Sequence, residues 1–157
     1  MNFESSQEKE PKDRMIVVVK PDAYFHLQAI IDRFKDEGLE IVESVTKILP
    51  LDFVNRVMYR NMPAQIQFEN AKHFSQGPST VLMLEGDNGL IDKVVSIIGK
   101  NTKPGECDED SLRYLFGEHD GHQMAEGGQY FRNAIHRGKN SDEVRDDLEK
   151  FKTFFIE

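Results

Sequence analysis

The run Met15-Ile16-Val17-Val18-Val19-Lys20, closed at once by Pro21, constrains this chain most. A short continuous apolar stretch rich in β-branched side chains, ended by a residue with no backbone N–H, reads as a buried central strand over residues 15–20. The rest of the chain must supply its neighbours. Leu27, Ile30, Ile31 and Phe34 recur at helical spacing, and Gly38 is placed to stop that helix. "LEIVESVTKIL", residues 39–49, alternates as a second, half-exposed strand closed by Pro50. Residues 51–75 read as helical, in two pieces split at Pro63. "GPSTVLMLEG" is a third strand between glycines, and residues 88–98 form a helix that buries Leu90, Ile91, Val94, Val95 and Ile98 and ends at Gly99.

"SLRYLFG" reads as a single helical turn between two polar loops, "KNTKPGECDED" and "EHDGHQMAEGGQ". "YFRNAIHR" reads as the fourth strand. From Ser141 a helix begins with an acidic first turn, which suits the helix dipole, and carries the stripe Val144, Leu148, Phe151 and Phe155. No internal repeat is present. Four strands interleaved with helices indicate an α+β fold, a ferredoxin-like four-stranded antiparallel sheet flanked by helices.

A hydrophobic content of 38% with 31% charged residues describes one soluble domain over residues 14–157 behind a disordered tail over residues 1–13. No apolar run approaches the ~20 residues of a membrane helix. "MNFESSQEKEPKDR" lacks the apolar centre of a signal peptide, so no membrane partner and a cytoplasmic location are expected. Cys107 is the sole cysteine, which excludes an internal disulfide; inside the acidic run Glu106 to Asp110 it is expected to be an exposed thiol. The net charge of −8 argues against nucleic acid as a partner. It leaves small anions open, because a phosphate site needs only a few local cations and backbone N–H groups.

Four residues at the edges of these elements form a chemically coherent set. Lys20 ends the first strand, Arg113 lies among apolar residues in the short helical turn, and Asn133 and His136 lie in the last strand. Cations and an amide hold phosphates, and an imidazole with a reference pKa of ~6.5 retains a neutral, nucleophilic population near neutrality. Taken singly, each has a bland reading: a strand exit, an arginine snorkelling from the core edge, a histidine where strand meets turn.

Together, "VVVKPDA", "GPSTVLMLEG", "SLRYLFG" and "RNAIHRGKNSDEVRDDLEKF" resemble the nucleoside diphosphate kinase family over about residues 15–155. The resemblance implies a phosphotransferase working by ping-pong: ATP or another nucleoside triphosphate phosphorylates His136, and a nucleoside diphosphate takes the phosphate away. Lys20 and Arg113 match residues that hold phosphates, Asn133 one that contacts ribose and phosphates, and Tyr59 in "VMYR" a tyrosine near phosphate and nucleophile. The family's threonine after the third helix falls at Asn101 or Thr102, and Ile66 stands at the position where the base stacks. Asp147 matches the carboxylate that orients the histidine. Mg²⁺ is expected to arrive mainly on the nucleotide phosphates, with few or no protein ligands, and a homo-oligomer is expected.

The chain departs from the family pattern at several of these positions. Ala23 follows the Lys-Pro-Asp step, Ile66 stands where the family stacks a phenylalanine, and Val95 where it has a phosphate-binding arginine. Gly138 stands for a serine, and Asp147 for the longer glutamate. Arg137 and Lys139, beside His136, are candidates to replace part of the missing cationic clamp. The extended stretch 117–131 holds His119, Asp120 and His122, a metal-ligand spacing that also suits a solvated loop. The losses support an alternative, a catalytically weak or silent nucleotide-binding or assembly module of the same fold. A third reading, a ferredoxin-like binding domain for RNA or another ligand, is disfavoured for RNA by the acidic charge and the absence of paired aromatics on a strand.

Overall fold

The structure is a computed structural model and describes residues 12–155. Strands β1 (Asp13–Val19), β2 (Glu40–Lys47), β3 (Ser79–Gly86) and β6 (Ile135–Arg137) form one antiparallel sheet in the order β2-β3-β1-β6. This is the ferredoxin-like arrangement that the strand and helix pattern implies. The apolar run lies in the interior: β1 pairs with β3 from Asp13 opposite Gly86 to Val19 opposite Thr80, and with β6 from Val17 opposite Arg137 to Val19 opposite Ile135. β1 therefore starts at the last residue of the expected tail. Lys12 just before it reaches Asp87 at 3.1 Å, and residues 1–11 lie outside the described residues.

Alternation along β1 feeds two cores. Met15, Val17 and Val19 pack with Leu82, Leu84 and Ile135 against α1 (Leu27–Asp36) and α4 (Leu90–Ile98), through Ile30, Phe34, Val94 and Ile98. Ile16 and Val18 pack on the opposite face with Val81, Val54, Phe74 and Phe151. Phe34, Phe74 and Phe151 are fully buried; truncating any of them to alanine costs about 3–5 kcal/mol. Residues 51–75 do divide at Pro63, which caps α3 (Ala64–Phe74). The first piece, however, is a short helix α2 (Leu51–Phe53) that widens into one π turn over Val54–Met58, closed by the Tyr59 N–H on Val54 O at 2.9 Å.

Two expectations need correction. "YFRNAIHR" is not one strand: Tyr130 belongs to a separate hairpin, β4 (His122–Gln123) with β5 (Gln129–Tyr130), and β6 begins only at Ile135. The break lies at Ala134, whose φ is +75°. Cys107 is buried, not exposed, with its thiol donating to Asn101 O at 3.2 Å in the loop after α4. The short helix α5 (Leu112–Phe116) and the final helix α6 (Ser141–Lys150) stand where the sequence places them.

Candidate active site

β6 is the sheet's edge strand and has three residues, so side chains from both of its faces reach the open rim. His136 is opposite Val18 and shares its face; Ile135 and Arg137, opposite Val19 and Val17, share the other. A cleft of about 440 Å³ opens along this rim, lined by β6, the end of the π turn, the loop after α4, α5 and α6.

Two hydrogen bonds fix the two faces of the His136 ring differently. Nε2 lies 3.1 Å from Asp147 Oδ2, and Nδ1 lies 3.5 Å from Tyr59 Oη. With an ionised Asp147 as partner, Nε2 carries the ring proton and donates it, so the Nδ1 lone pair faces the cleft. Asp147 is 3% exposed, shielded from the competition of water that would loosen this bond. Tyr59 meets the ring edge-on, with centroids 5.7 Å apart, and burial raises its phenol well above the ordinary range, so it stays a neutral O–H donor.

Asp147 reaches the ring because α6 is held close. Asn140 Oδ1 accepts the Glu143 N–H at 2.9 Å, and Glu143 Oε1 accepts the Lys139 N–H at 3.0 Å, a reciprocal cap that sets the start of the helix. Lys150 Nζ donates to Met58 O at 3.1 Å, tying the other end to the π turn. Between β6 and α6, Gly138 sits so near the helix that a Cβ there would stand 3.0 Å from the Glu143 carbonyl carbon and the Val144 nitrogen. The absent side chain permits this approach, at which the short Asp147 side chain lies 3.1 Å from the ring.

The cations converge on the same rim. Lys20 is 5% exposed, and its Nζ donates to Asn133 Oδ1 at 2.9 Å, while Asn133 Nδ2 donates to Thr102 O at 3.1 Å. Burial, then the positive charge of Arg113, lowers the Lys20 ammonium to about 7, with Asp22 opposing in part. Arg113 is 4% exposed; Nε and Nη2 donate to Ile135 O at 3.3 and 2.8 Å, and Nη1 to Asn101 O at 3.0 Å. Those bonds leave two of its five N–H groups for a ligand. Burial and the neighbouring Arg137 bring its guanidinium down to about 10. Seven basic and three acidic side chains line the cleft of a chain whose net charge is −8, so the field there opposes that of the whole molecule and favours anions.

The structure thus brings Lys20, Tyr59, Thr102, Arg113, Asn133, His136 and Asp147 to one cleft. Ile66 is half-buried on α3 and does not line it; Met62 does. His119 Nε2 turns to Tyr114 O at 2.8 Å and His122 Nε2 to Glu118 at 2.7 Å; no three metal-ligating side chains gather among the described residues. Arg60 and Lys100 also line the cleft, with no local sequence signal to mark them.

Behind the rim lies a support that sequence reading missed. Ile135 N–H bonds Asn133 O at 2.8 Å across Ala134, a tight reversed turn that costs a non-glycine residue about 1–2 kcal/mol. Asp22 Oδ2 accepts the Ala134 N–H at 3.1 Å, and its Oδ1 lies 2.8 Å from His73 Nε2, whose Nδ1 is 3.1 Å from Tyr130 Oη. Burial holds His73 below its ordinary range, against the pull of Asp22. Burial alone would raise the Asp22 carboxyl, but the hydrogen bond and charge of His73, with Lys20, bring it below its ordinary range. Both directions mean that the unfolded chain takes up protons first, so this contribution to stability is complete above ~6.5 and is lost as pH falls through the folded Asp22 value. Asp22→Ala is expected to cost about 2–4 kcal/mol in urea unfolding at pH 7 by leaving the buried N–H groups of His73 and Ala134 without their acceptor. Asp22→Asn, which keeps an acceptor, should lose less and should flatten the acid side of the stability profile.

Comparison with known proteins places these features in context. Residues 13–157 match the family model described as nucleoside diphosphate kinase. The chain is 30% identical over 129 residues to the nucleoside diphosphate kinase of Chlamydia trachomatis, covering 78% of this chain and 86% of that one. To the enzyme of Campylobacter fetus it is 29% identical over 126 residues, covering 78% and 89%. Among solved structures, the Aquifex aeolicus nucleoside diphosphate kinase superposes with a TM-score of 0.73 at 26% identity, over 92% of this chain and 96% of that one. The Pyrobaculum aerophilum NDP kinase gives the same score of 0.73 at 20% identity, a likeness of fold.

Proposed function

The chain belongs to the nucleoside diphosphate kinase family, and from that premise we propose that it transfers the terminal phosphate of ATP or another nucleoside triphosphate to a nucleoside diphosphate through a phosphohistidine on His136. The observation that carries this reading is the orientation of the ring, with Nε2 on buried Asp147 and Nδ1 facing the cationic cleft, where the Tyr59 hydroxyl approaches it at 3.5 Å. Nδ1 donates its lone pair to phosphorus, the bond from the γ-phosphorus to the bridging oxygen breaks, and that electron pair leaves on the diphosphate. No proton need move; Asp147 holds the Nε2–H while the ring carries the transferred group. The second half reverses the first with a new diphosphate. Lys20 and Arg113 offset the negative charge of the phosphates, which is the main task in chemistry of this kind. Asn133 positions Lys20, and the Tyr59 hydroxyl offers a donor beside the transferred phosphoryl.

Mg²⁺ fits as a companion of the nucleotide. Asp146 faces Arg60 and Lys150 at 3.4 and 2.9 Å, and Asp147 faces His136, so the carboxylates at the cleft are engaged. When bound to the phosphates, the ion would supply further charge neutralisation. Met62, exposed on the rim, and not Ile66 is the apolar side chain offered to a base here. A cytoplasmic location and a homo-oligomeric assembly are part of the same proposal. Among the described residues no helix is long and apolar enough to cross a membrane.

Steady-state kinetics test the mechanism: double-reciprocal plots at several diphosphate concentrations should be parallel, and intersecting lines would indicate direct transfer without a phosphoenzyme. A pH consequence follows from Lys20. With its ammonium lowered to about 7, Lys20 is largely neutral at pH 8, and a bound phosphate restores its proton. Nucleotide binding at pH 8 is therefore expected to take up close to one proton, shrinking toward zero at pH 6. Calorimetry in buffers of different ionisation enthalpy measures it, with Lys20→Met as the control that removes the uptake.

A further inference from the structure

We propose that Arg137 is a third arm of the phosphate clamp, contacting the β- and γ-phosphates of the nucleotide together with Lys20 and Arg113. The inference rests on the reading of the cleft as a nucleotide site and names a residue that reading does not need. Arg137 follows His136 in β6 and projects from the opposite face of the strand, toward Arg113 and the loop after α4. Because β6 is an edge strand, this face also opens on the cleft, and Arg137 lines it.

Its bonding is incomplete. Nη2 donates to Gly99 O at 2.6 Å, and Nε is buried without a partner. Among the described residues neither Arg137, Arg113 nor Lys20 is paired with a carboxylate. Burial lowers the Arg137 guanidinium too, although Glu143 opposes the shift. Three basic groups held close together, none paired with a carboxylate, raise one another's free energy when charged. A single backbone carbonyl does not require an arginine, and an isolated structural cation gains nothing from two like charges beside it. A polyanion between them resolves the arrangement: it pairs with all three and supplies an acceptor for the orphaned N–H. Arg137 would thereby provide a guanidinium where α4 presents Val95.

The test compares equilibrium binding of adenosine, AMP, ADP, ATP and inorganic tripolyphosphate to the wild-type chain, Arg137→Gln and Arg137→Lys, each checked for a cooperative melt. Arg137→Gln is expected to weaken ADP, ATP and tripolyphosphate by about tenfold to a hundredfold and adenosine by less than about twofold, with Arg137→Lys recovering part of the loss. An equal loss for every ligand would reduce Arg137 to a strut between β6 and Gly99, and no loss for tripolyphosphate would overturn the proposal outright. If the wild-type chain binds tripolyphosphate but transfers no phosphate, the kinase reading fails while the clamp is still judged by these ratios. If it binds none of the anions, both fall.

Discussion

Replacing His136 by alanine is expected to reduce phosphate transfer between nucleotides by about 10⁴-fold or more while changing nucleotide affinity by less than about threefold. The division follows from geometry. The groups proposed to hold the phosphates, Arg113 and the Lys20–Asn133 pair, make no bond to the imidazole. The ring contributes the nucleophilic lone pair: Tyr59 keeps its proton, Asp147 is buried behind the ring, and Lys20 regains its proton when a phosphate binds. Coupled-enzyme rates and calorimetric binding of ADP measure the two quantities separately. A loss below about tenfold would mean that phosphate passes directly between nucleotides.

Asp147→Ala is expected to lower kcat by about 10² to 10³-fold with little change in KM, because it frees the ring to rotate and leaves its Nε2–H without a buried acceptor. The same bond should respond to the helix that carries it. Gly138→Ala introduces a Cβ that would stand 3.0 Å from the α6 backbone, so the helix must shift by a few tenths of an ångström and the 3.1 Å bond lengthens. On its own this should cost a few-fold in kcat, and Asp147→Glu on its own should crowd the ring. Combined, the longer carboxylate spans the wider gap, with a favourable coupling of about 1 kcal/mol in a double-mutant cycle. Additive losses would show that Gly138 and Asp147 are independent. Activity in the variants with intact melting transitions separates this effect from misfolding.

The sequence carried most of the scaffold because the scaffold obeys local periodicity. β1 is continuous and apolar, and α4 and the first turn of α6 repeat their patterns cleanly. Where a single backbone dihedral decides, pattern fails: "YFRNAIHR" is extended by composition, yet the turn at Ala134 cuts it and leaves Tyr130 in a separate hairpin. Cys107 looked exposed because its neighbours are acidic, but loop carbonyls receive its thiol inside the fold. At the site, Lys20, Asn133 and His136 stand in motifs that can be quoted. Asp22 stands in one too, adjoining Pro21, but its part depends on His73 arriving from α3, 51 residues away. Ile66 shows the converse: correct spacing along the chain does not turn a helical side chain toward a cleft. The closeness of Gly138 to the helix that carries Asp147 is visible only when the distance between β6 and α6 is known.

The most direct measurement mixes the chain with Mg²⁺ and a γ-labelled nucleoside triphosphate, removes free nucleotide, and follows the label on protein. Expected is rapid incorporation approaching one phosphate per chain, labile to acid and stable to base, located on His136 by peptide mass spectrometry, and released as triphosphate when unlabelled GDP is added. Bound nucleotide with no label on His136, or label there that GDP cannot remove, would contradict a phosphohistidine relay and leave the cleft a nucleotide-binding module.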